Sequence, residues 1–381
     1  MPRDGPFFAI PHGNDHTAPE ESSVPDLFDP IQLRSVTIRN RVGVSPMCMY
    51  SSVDGHATDW HLVHLGARAV GGAGLVILEA TAVEPRGRIT PDDAGLWADS
   101  QIAPLRRINA FLKEYGATPA VQLAHAGRKA GTPSPWKRTY PGMLKIEDGG
   151  WQNVGPSPIA FTPAHREPAE LSLEEVGEVQ DAFVAATRRA AEAGFELVEL
   201  HAAHGYLAHS FLSPFSNQRT DQYGGSRENR MRFVLETAAR MRAEFPKHLP
   251  VAVRISVDDW AEGGWMIDDT IVLARALKDA GIDLIDCSSG GSTMDAKIPY
   301  GPSFQVPFAE RIRREAGIAT AAVGAITAPE QAQDIVSTGR ADMVLLAKEL
   351  LRDPYWPAHA AKKLGQAEKL KLPPQYHAFI G

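Results

Sequence analysis

A repeated alternation of helix and buried strand is the sequence feature that most limits how this chain can fold. At several places a helical stretch ends at a glycine, and a short run rich in Val, Ile, Leu and Ala begins soon after it. These glycines are Gly74, Gly116, Gly194, Gly281, Gly317 and Gly339. Glycine just past a helix relieves the left-handed backbone found there, and continuous apolar runs are typical of parallel strands covered on both faces.

Two further apolar runs, residues 42–49 and 250–257, bring the candidate strands to eight. The segments between them carry helix-start signals at Ser100, Ser172, Thr327 and Asp353-Pro354. Eight strand–helix units in series predict an α/β fold, a single (β/α)8 TIM barrel. A doubly wound sheet is the alternative, and it is weakened because no Gly-x-Gly-x-x-Gly follows an early strand.

The chain divides into three predicted segments. Residues 1–26 contain mainly Pro, Gly, His and acidic residues and are expected to be a disordered tail. Residues 27–364 form the barrel, and residues 365–381 form a C-terminal extension. Two connections, residues 127–171 and 210–226, are too long for simple turns. The first, a long insertion after strand three, is either a lid over the site or a tolerated surface insertion.

Composition excludes several classes of protein. Lys and Arg number 39 against 46 Asp and Glu, a net charge of −7, which argues against binding to nucleic acid or to an anionic membrane. No apolar run approaches the ~20 residues of a membrane helix. Cys48 and Cys287 cannot build a disulfide framework, and reduced thiols fit a cytoplasmic protein.

Polar side chains at the predicted strand ends define a candidate active site, because a barrel builds its site there. Strand four ends at His201 and His204, with Tyr206 close behind, and Gln122 and Arg254 end strands three and five. Two histidines and a tyrosine indicate a hydrogen-bonding site. A metal is disfavoured, because no third ligand completes a shell.

Three other strand-end residues allow weaker inferences. Cys48 on strand one has no adjacent base, and as a residue on its own it is expected to be a small buried hydrophobe. Gly324 and Lys348 end strands seven and eight, where a barrel commonly grips a phosphate. The phosphate could belong to a cofactor or to a phosphorylated metabolite.

Residues 201–230, HAAHGYLAHSFLSPFSNQRTDQYGGSRENR, resemble the signature of the old yellow enzyme family. Residues 27–31, 40–41 and 349–354 also fit, so the resemblance spans roughly residues 27–364. It implies an FMN-dependent ene-reductase on a (β/α)8 barrel, with NADPH or NADH as the hydride donor. Cys48 and Tyr50 on strand one resemble the thermophilic-like bacterial branch of the family.

The resemblance also implies where FMN binds, without covalent attachment. The implied contacts are Ser45, Pro46, Met47, Cys48, Ala80, Gln122, Arg254, Gly324, Ala347 and Lys348. Cys48 would lie near N5 and O4 and tune the flavin potential, and Gln122 would offer its amide to the pyrimidine edge. Arg254 would face N1 and O2, where a guanidinium stabilises the negative charge of reduced flavin.

The same resemblance implies the substrate and the catalytic residues. The substrate would be a small electron-poor alkene such as an enone, with hydride arriving at its β-carbon. His201 and His204 would donate hydrogen bonds to the carbonyl oxygen, with Tyr50 as a second hydroxyl there. Tyr206 would protonate the α-carbon.

Two departures from the family pattern affect the expected phosphate binding and the expected subunit contact. Ala347-Lys348 stands where the family usually has Gly-Arg. The lysine keeps the positive charge but cannot form the bidentate hydrogen bonds that an arginine makes to a phosphate. Relatives in this branch often end in Gln-Tyr-x-Arg, whose arginine enters a neighbouring subunit, whereas this chain has Gln375-Tyr376-His377-Ala378. A homo-oligomer, dimer or tetramer, is still expected, with the extension at a possible subunit interface.

Two functions of other classes remain open. One is a phosphate-binding barrel lyase or isomerase without flavin, and the other is a flavin-binding protein without turnover. A dienoyl-CoA reductase of the same family is close to excluded, because its iron–sulfur cluster needs four cysteine ligands and the chain has two cysteines.

Overall fold

The computed structural model describes Met1, residues 24–137 and residues 142–376. Its strands, in chain order, are β1 (Ile31–Leu33), β2 (Val36–Ile38), β3 (Val42–Val44), β4 (Leu75–Ala82), β5 (Thr118–Ala124), β6 (Val154–Gly155), β7 (Ala169–Glu170), β8 (Leu197–Ala202), β9 (Val251–Ser256), β10 (Leu284–Ser288), β11 (Ala319–Ala322) and β12 (Met343–Leu346). Eight of them, β3–β5 and β8–β12, form a closed parallel barrel. Each pairs with the next along the chain, and β12 pairs with β3 to close it. The predicted (β/α)8 barrel is confirmed.

Helices surround the barrel and cover the outer faces of its strands. They are α1 (Asp59–Val70), α2 (Ile102–Glu114), α3 (Leu173–Glu192), α4 (Leu207–Leu212), α5 (Arg227–Glu244), α6 (Ile267–Asp279), α7 (Val306–Ala316), α8 (Pro329–Ser337), α9 (Lys348–Arg352) and α10 (Trp356–Lys363). Every residue of β4, β5, β8, β9 and β10 is buried, as expected for strands with side chains facing both the helices and the interior.

The helix starts show where local sequence signals succeed and fail. Ser172 caps α3 with a full capping box to Glu175, as predicted. Ser100 does not cap α2, because a 3₁₀ turn over Asp99–Gln101 precedes that helix. The predicted box from Thr327 is displaced by one residue, because Ala328 takes the N-cap position of α8 and its N–H donates to the Gln331 side chain.

The antiparallel hairpin of β1 and β2 closes the amino-terminal end of the barrel. Its buried side chains, Ile31, Leu33, Val36 and Ile38, form one apolar cluster with residues at the starts of the barrel strands. The interior is therefore sealed at the bottom, and a ligand can approach only from the carboxyl ends of the strands.

Strand one is shorter than predicted, because β3 ends at Val44 and residues 45–50 continue as irregular chain. The described parts of the insertion, residues 127–137 and 142–171, have little regular structure apart from 3₁₀ turns and the short β6–β7 pair, and the role of the insertion as a lid stays a prediction. Most of the predicted disordered tail, residues 2–23, lies outside the described residues. Among the helices that the structure describes, we find none long and apolar enough to cross a membrane.

Candidate active site

His201, His204 and Tyr206 come together at the end of β8, as the sequence predicts. The ring centroids of His201 lie 5.1 Å from those of His204 and Tyr206, and the His204 and Tyr206 rings are 6.5 Å apart. A tight turn brings them together, with φ of +62° at His204 and +72° at Gly205. A Cβ at Gly205 would lie 2.1 Å from the carbonyl oxygen of Gly291, so only glycine fits there.

Two serines that the sequence analysis did not assign a role fix the position of His204. Its Nε2 shares a 2.7 Å hydrogen bond with Ser288 Oγ, and its backbone N–H donates to Ser256 Oγ at 2.9 Å. His201 differs, because its Nδ1 is buried and has no hydrogen-bond partner among the described residues. His201 therefore has a nitrogen available for a ligand, while His204 is oriented by the protein.

His209 and Asp259 support the same turn from below. Gly205 N–H donates to His209 Nδ1 at 2.8 Å, and His209 Nε2 lies 3.1 Å from Asp259 Oδ1. Ser213 Oγ donates to the other oxygen of Asp259 at 2.7 Å. Ser213, His209 and Asp259 are the residue types of a catalytic triad. Ser213 and His209 each contact the Asp259 carboxylate, however, so His209 does not activate Ser213. The trio orients the backbone between His204 and Tyr206 and does not form a nucleophile.

Burial sets the protonation of the histidines and tyrosines. It lowers the pKa of His201 and His204 well below the ordinary value, and the positive charge of Arg254 adds to the effect. It raises the pKa of Tyr206 and Tyr50, so both phenols keep their protons. At neutral pH the cluster therefore offers neutral imidazoles and intact phenols, which are hydrogen-bond and proton donors without fixed charge.

Cys48 and Tyr50 pack on an apolar cluster at the mouth of the barrel. Together with Tyr206 they pack against the cluster that contains Ala80 and Ala124. Burial, and then the nearby Glu79 and Asp93 carboxylates, raise the pKa of the Cys48 thiol. Cys48 is thus a protonated thiol, a weak donor, and not a reactive thiolate.

Glu79 anchors the segment that carries Cys48. One carboxylate oxygen accepts from Met49 N–H at 2.7 Å, and the other lies 3.0 Å from His61 Nε2 on α1. Both side chains are almost fully buried. The irregular chain after β3 is therefore tied to β4 and α1, which explains how it holds a defined position without being a strand.

A charged network crosses the barrel interior next to the histidines, with Arg254 in register with His201 and Glu199 two residues before it on the same strand as His201. Arg254 Nε lies 3.1 Å from Asp286 Oδ2, and its Nη1 donates to Ser45 Oγ at 3.2 Å. On the neighbouring strands, Gln122 Nε2 donates to Glu199 Oε1 at 2.8 Å. The register explains these contacts, because Gln122 pairs with Glu199 and Arg254 pairs with Asp286.

Two buried carboxyl groups share the single guanidinium of this network. Desolvation raises the pKa of Glu199 and of Asp286, while Arg254 opposes the rise in both. Because one cation balances only one anion, ionising the second carboxyl in the interior is costly. The pair therefore retains a proton more readily than isolated carboxyl groups would.

We expect Glu199→Gln to flatten the pH dependence of stability. The folded chain binds the Glu199 proton more tightly than the unfolded chain, so wild-type stability falls as pH rises from the ordinary value of 4.5 through the raised one. Glutamine keeps the acceptor for Gln122 and cannot ionise. Urea unfolding at a series of pH values should give a shallower decline for the variant. The exposed Glu174→Gln is the control, and equal slopes for wild type and Glu199→Gln would contradict the assignment.

Gly324, Ala347 and Lys348 meet at a second opening, at the ends of β11 and β12. They line a cavity of about 390 Å³ together with Ala325 and Arg352. Gly324 and Ala325 have φ of +113° and +49°, which turns the backbone sharply around the opening. Lys348 makes no hydrogen bond or ion pair with the described residues, so its ammonium group is free to meet an anion.

The structure thus groups the predicted residues into three places. The histidines and Tyr206 form one, the Cys48 segment forms a second, and Gly324, Ala347 and Lys348 form the third. Sequence analysis missed Ser288, Glu199 and Asp286. The acidic residues did leave a signal, since each interrupts an otherwise apolar strand.

A closed parallel barrel with polar side chains and an exposed lysine at the carboxyl ends of its strands is the arrangement in which barrels commonly bind phosphorylated ligands. Comparison with known proteins specifies it further. The sequence profile of the NADH:flavin oxidoreductase / NADH oxidase family matches residues 26–367, and the chain belongs to this family.

Individual relatives agree with this assignment. An NADPH dehydrogenase of Geobacillus sp. (strain WCH70) is 48% identical over 341 residues, covering 89% of this chain and 94% of the relative. Morphinone reductase in complex with tetrahydroNAD superposes with a TM-score of 0.74 at 27% identity, covering 92% and 93% of the two chains. The old yellow enzyme homologue from Zymomonas mobilis gives 0.73 at 25% identity, covering 94% and 99%. The chain is an NAD(P)H-dependent flavin oxidoreductase that uses FMN.

The residues present fit FMN. The cavity at Gly324 has the unpaired ammonium group of Lys348 in its lining, and Gly324 itself is tightly packed, since a Cβ there would lie 2.6 Å from Gln305 Nε2. The buried guanidinium of Arg254 and the amide of Gln122 lie on the two strands that flank His201, whose Nδ1 has no hydrogen-bond partner among the described residues. Lys348 lacks the bidentate geometry of an arginine, but its positive charge can still bind a phosphate.

Proposed function

We propose that the protein is an ene-reductase that reduces the C=C bond of α,β-unsaturated carbonyl compounds at the expense of NAD(P)H. The observation that supports this proposal best is the cluster of two neutral imidazoles and a protonated phenol within 6.5 Å of one another. Such a cluster can donate hydrogen bonds to the carbonyl oxygen of a substrate and can donate a proton to its α-carbon. Ene reduction requires both.

His201 and His204 are proposed to bind the carbonyl oxygen of the substrate. Negative charge develops on that oxygen as the β-carbon is reduced, and fixed donors stabilise the developing charge more than the ground state. The Ser288 and Ser256 hydrogen bonds hold His204 in place before the substrate arrives. Neutral imidazoles also avoid a permanent positive charge that would bind simple anions instead.

Tyr206 is proposed to protonate the α-carbon. Its raised pKa keeps the proton in place until a strong base forms beside it, and an enolate carbon is such a base. Tyr50, which packs on the same apolar cluster as Tyr206, is proposed as a further hydroxyl at the carbonyl. The electron-poor substrate would thus lie between the histidines and the apolar cluster around Ala80.

The FMN contacts are also part of the proposal. Ser45, Pro46, Met47, Cys48, Ala80, Gln122 and Arg254 would border the ring, and Gly324, Ala347 and Lys348 would hold the phosphate. When bound, FMN supplies hydride transfer between the nicotinamide and the substrate. We propose that the nicotinamide and the enone use the same face in turn, above His201 and His204. A related reductase, morphinone reductase, binds tetrahydroNAD.

The visible spectrum of the purified protein tests this function. We expect absorbance near ~450 nm, bleaching under anaerobic conditions when NADPH is added, and return of the colour when cyclohexenone follows. A colourless protein would favour a barrel lyase or isomerase. A yellow protein that NADPH does not bleach would favour flavin binding without turnover, and a bleached protein that the enone does not recolour would refute ene reduction.

Replacing Cys48 should change the flavin potential while FMN stays bound. The thiol is a weak donor beside the proposed ring position, and Cys48→Ala removes that donor without adding charge. We expect a shifted midpoint potential in a xanthine oxidase titration and unchanged FMN content after gel filtration. The buried Cys287→Ala, on β10, is the matched control. An unchanged potential in Cys48→Ala would count against its position beside the flavin.

A further inference from the structure

Trp136, on the insertion after β5, has no role in the function proposed so far. It is 63% exposed, although it carries one of the largest apolar side chains in the protein. Its ring contacts Tyr50 edge to face, with centroids 5.9 Å apart and planes at 66°. Tyr50 in turn packs on the apolar cluster that Cys48 and Tyr206 also contact. The indole of Trp136 therefore continues the aromatic surface of the candidate active site beyond Tyr50.

Asp92 ties together the two segments that carry these rings. Its backbone carbonyl oxygen accepts from Ser52 N–H at 3.0 Å, two residues beyond the tyrosine. Its carboxylate accepts from Lys137 Nζ at 2.8 Å and from Ser134 Oγ. A turn hydrogen bond of 2.9 Å, from Lys137 N–H to the Ser134 carbonyl oxygen, encloses Trp136. The chain is thus anchored on both sides of the indole, and the same residue anchors the tyrosine segment.

The preceding part of the insertion is held to the site as well. Thr132 N–H donates to the carbonyl oxygen of Ile89 at 2.8 Å, and Ile89 belongs to the apolar cluster at the barrel mouth. Lys129 Nζ donates to the carbonyl oxygen of His204 at 2.7 Å. Trp136 is therefore held in place relative both to the apolar cluster and to the turn that carries the catalytic groups.

This anchoring distinguishes Trp136 from an ordinary exposed side chain. Single apolar residues are common on protein surfaces. Fixing a chain segment costs conformational entropy, however, and a ring that stays exposed offsets little of that cost through burial. A flat apolar group stacked on the indole would remove both surfaces from water and add a favourable ring contact. The arrangement thus favours a ligand that carries such a group.

We propose that Trp136 is a specificity-determining residue that binds a planar apolar substituent of the substrate. The preferred substrates would then be enones that carry an aromatic ring. This inference rests on the proposed function, because the carbonyl group is placed at His201 and His204, with Tyr50 as a further hydroxyl. The ring contact between Tyr50 and Trp136 puts the indole next to that position. A small enone such as cyclohexenone has no substituent that makes this contact.

Binding of two enones to the oxidised holoenzyme tests the proposal. Oxidised FMN has no hydride to transfer, so the measurement does not depend on turnover. The pair is trans-4-phenylbut-3-en-2-one and trans-pent-3-en-2-one, which differ only in a phenyl group against a methyl group. Each dissociation constant is obtained from the change in the absorbance spectrum of the flavin. In wild type we expect the phenyl compound to bind at least ~10-fold more tightly.

The ratio of the two dissociation constants is the quantity compared between variants. In Trp136→Ala it should shrink at least ~5-fold, because only the phenyl compound loses a stacking partner. Trp136→Phe keeps an aromatic ring and should restore most of the ratio. Trp60→Ala is the matched control, because Trp60 on α1 is 54% exposed and stacks with His64. Its ratio should equal that of wild type.

Two results would overturn the proposal. One is a wild-type protein that binds both enones equally, and the other is a ratio that Trp136→Ala leaves unchanged. Failure of ene reduction is a separate result. If neither enone reoxidises NADPH-reduced wild type, while Trp136→Ala still abolishes selective binding to the oxidised protein, ene reduction fails and the binding role of Trp136 stands.

Discussion

Replacing His201 and His204 together by alanine should nearly abolish enone reduction while leaving FMN bound. Removing one oxyanion-type donor typically costs ~3 kcal/mol, or about two to three orders of magnitude in rate. The double variant removes both proposed donors to the carbonyl oxygen, and the cost should exceed that of either single change. The rate is measured by mixing photoreduced protein with cyclohexenone, so that the donor half-reaction does not contribute.

FMN content and the exposed His359→Ala are the controls for this experiment. The proposed phosphate site, at Gly324 and Lys348, lies at the ends of different strands from the histidines, so FMN content should be unchanged. His359 lies on α10 and is 61% exposed at its side chain, so its replacement should leave the rate as in wild type. Near-normal reoxidation in the double histidine variant would refute the proposed role of the imidazoles.

The second prediction with a large expected effect concerns the stability of the buried network of Arg254, Asp286 and Glu199. Arg254→Met should lower the free energy of unfolding by ~3–5 kcal/mol, because it leaves Asp286 and Glu199 without their cation. The loss should grow with pH, since ionisation of the two carboxyl groups then becomes more costly. Thermal unfolding in excess FMN at several pH values measures both effects.

Adding Asp286→Asn to Arg254→Met separates charge from packing. The double variant should recover much of the stability, because the uncompensated carboxylate is gone, although the flavin contact remains lost. Arg314→Met, at a side chain that is 65% exposed, should change stability little. If Asp286→Asn brought no recovery, the destabilisation would have to come from lost packing or lost FMN.

The barrel could be predicted from the sequence because its signal is local and repeated. Each strand is a continuous apolar run, and the residues that end it are adjacent to the run in sequence. The sequence therefore predicts that His201, Gln122 and Arg254 lie at strand ends, without any knowledge of which strands pair. The helix starts at Ser100 and Thr327 were predicted wrongly, because 3₁₀ turns and neighbouring side chains such as Gln101 and Gln331 compete for the same backbone groups.

The polar network could not be predicted in the same way. That Arg254 lies beside Asp286, and Gln122 beside Glu199, depends on strand register, which the stagger of the closed barrel sets and no short motif encodes. The contacts of Ser288 with His204, and of Lys129 with the turn, join segments more than 70 residues apart. The roles of the site residues toward FMN and substrate remain predictions.

The close approach of Gly205 and Gly291 has a consequence for protein engineering. A Cβ on Gly291 would meet the His204 backbone at 2.6 Å, just as one on Gly205 would meet Gly291. Directed evolution toward bulkier substrates cannot use these two positions, since any added carbon would push apart the loops that carry His204 and Gly291. Libraries that randomise Trp136 instead would vary the proposed contact with the substrate and leave the distances between the imidazoles and the phenol intact.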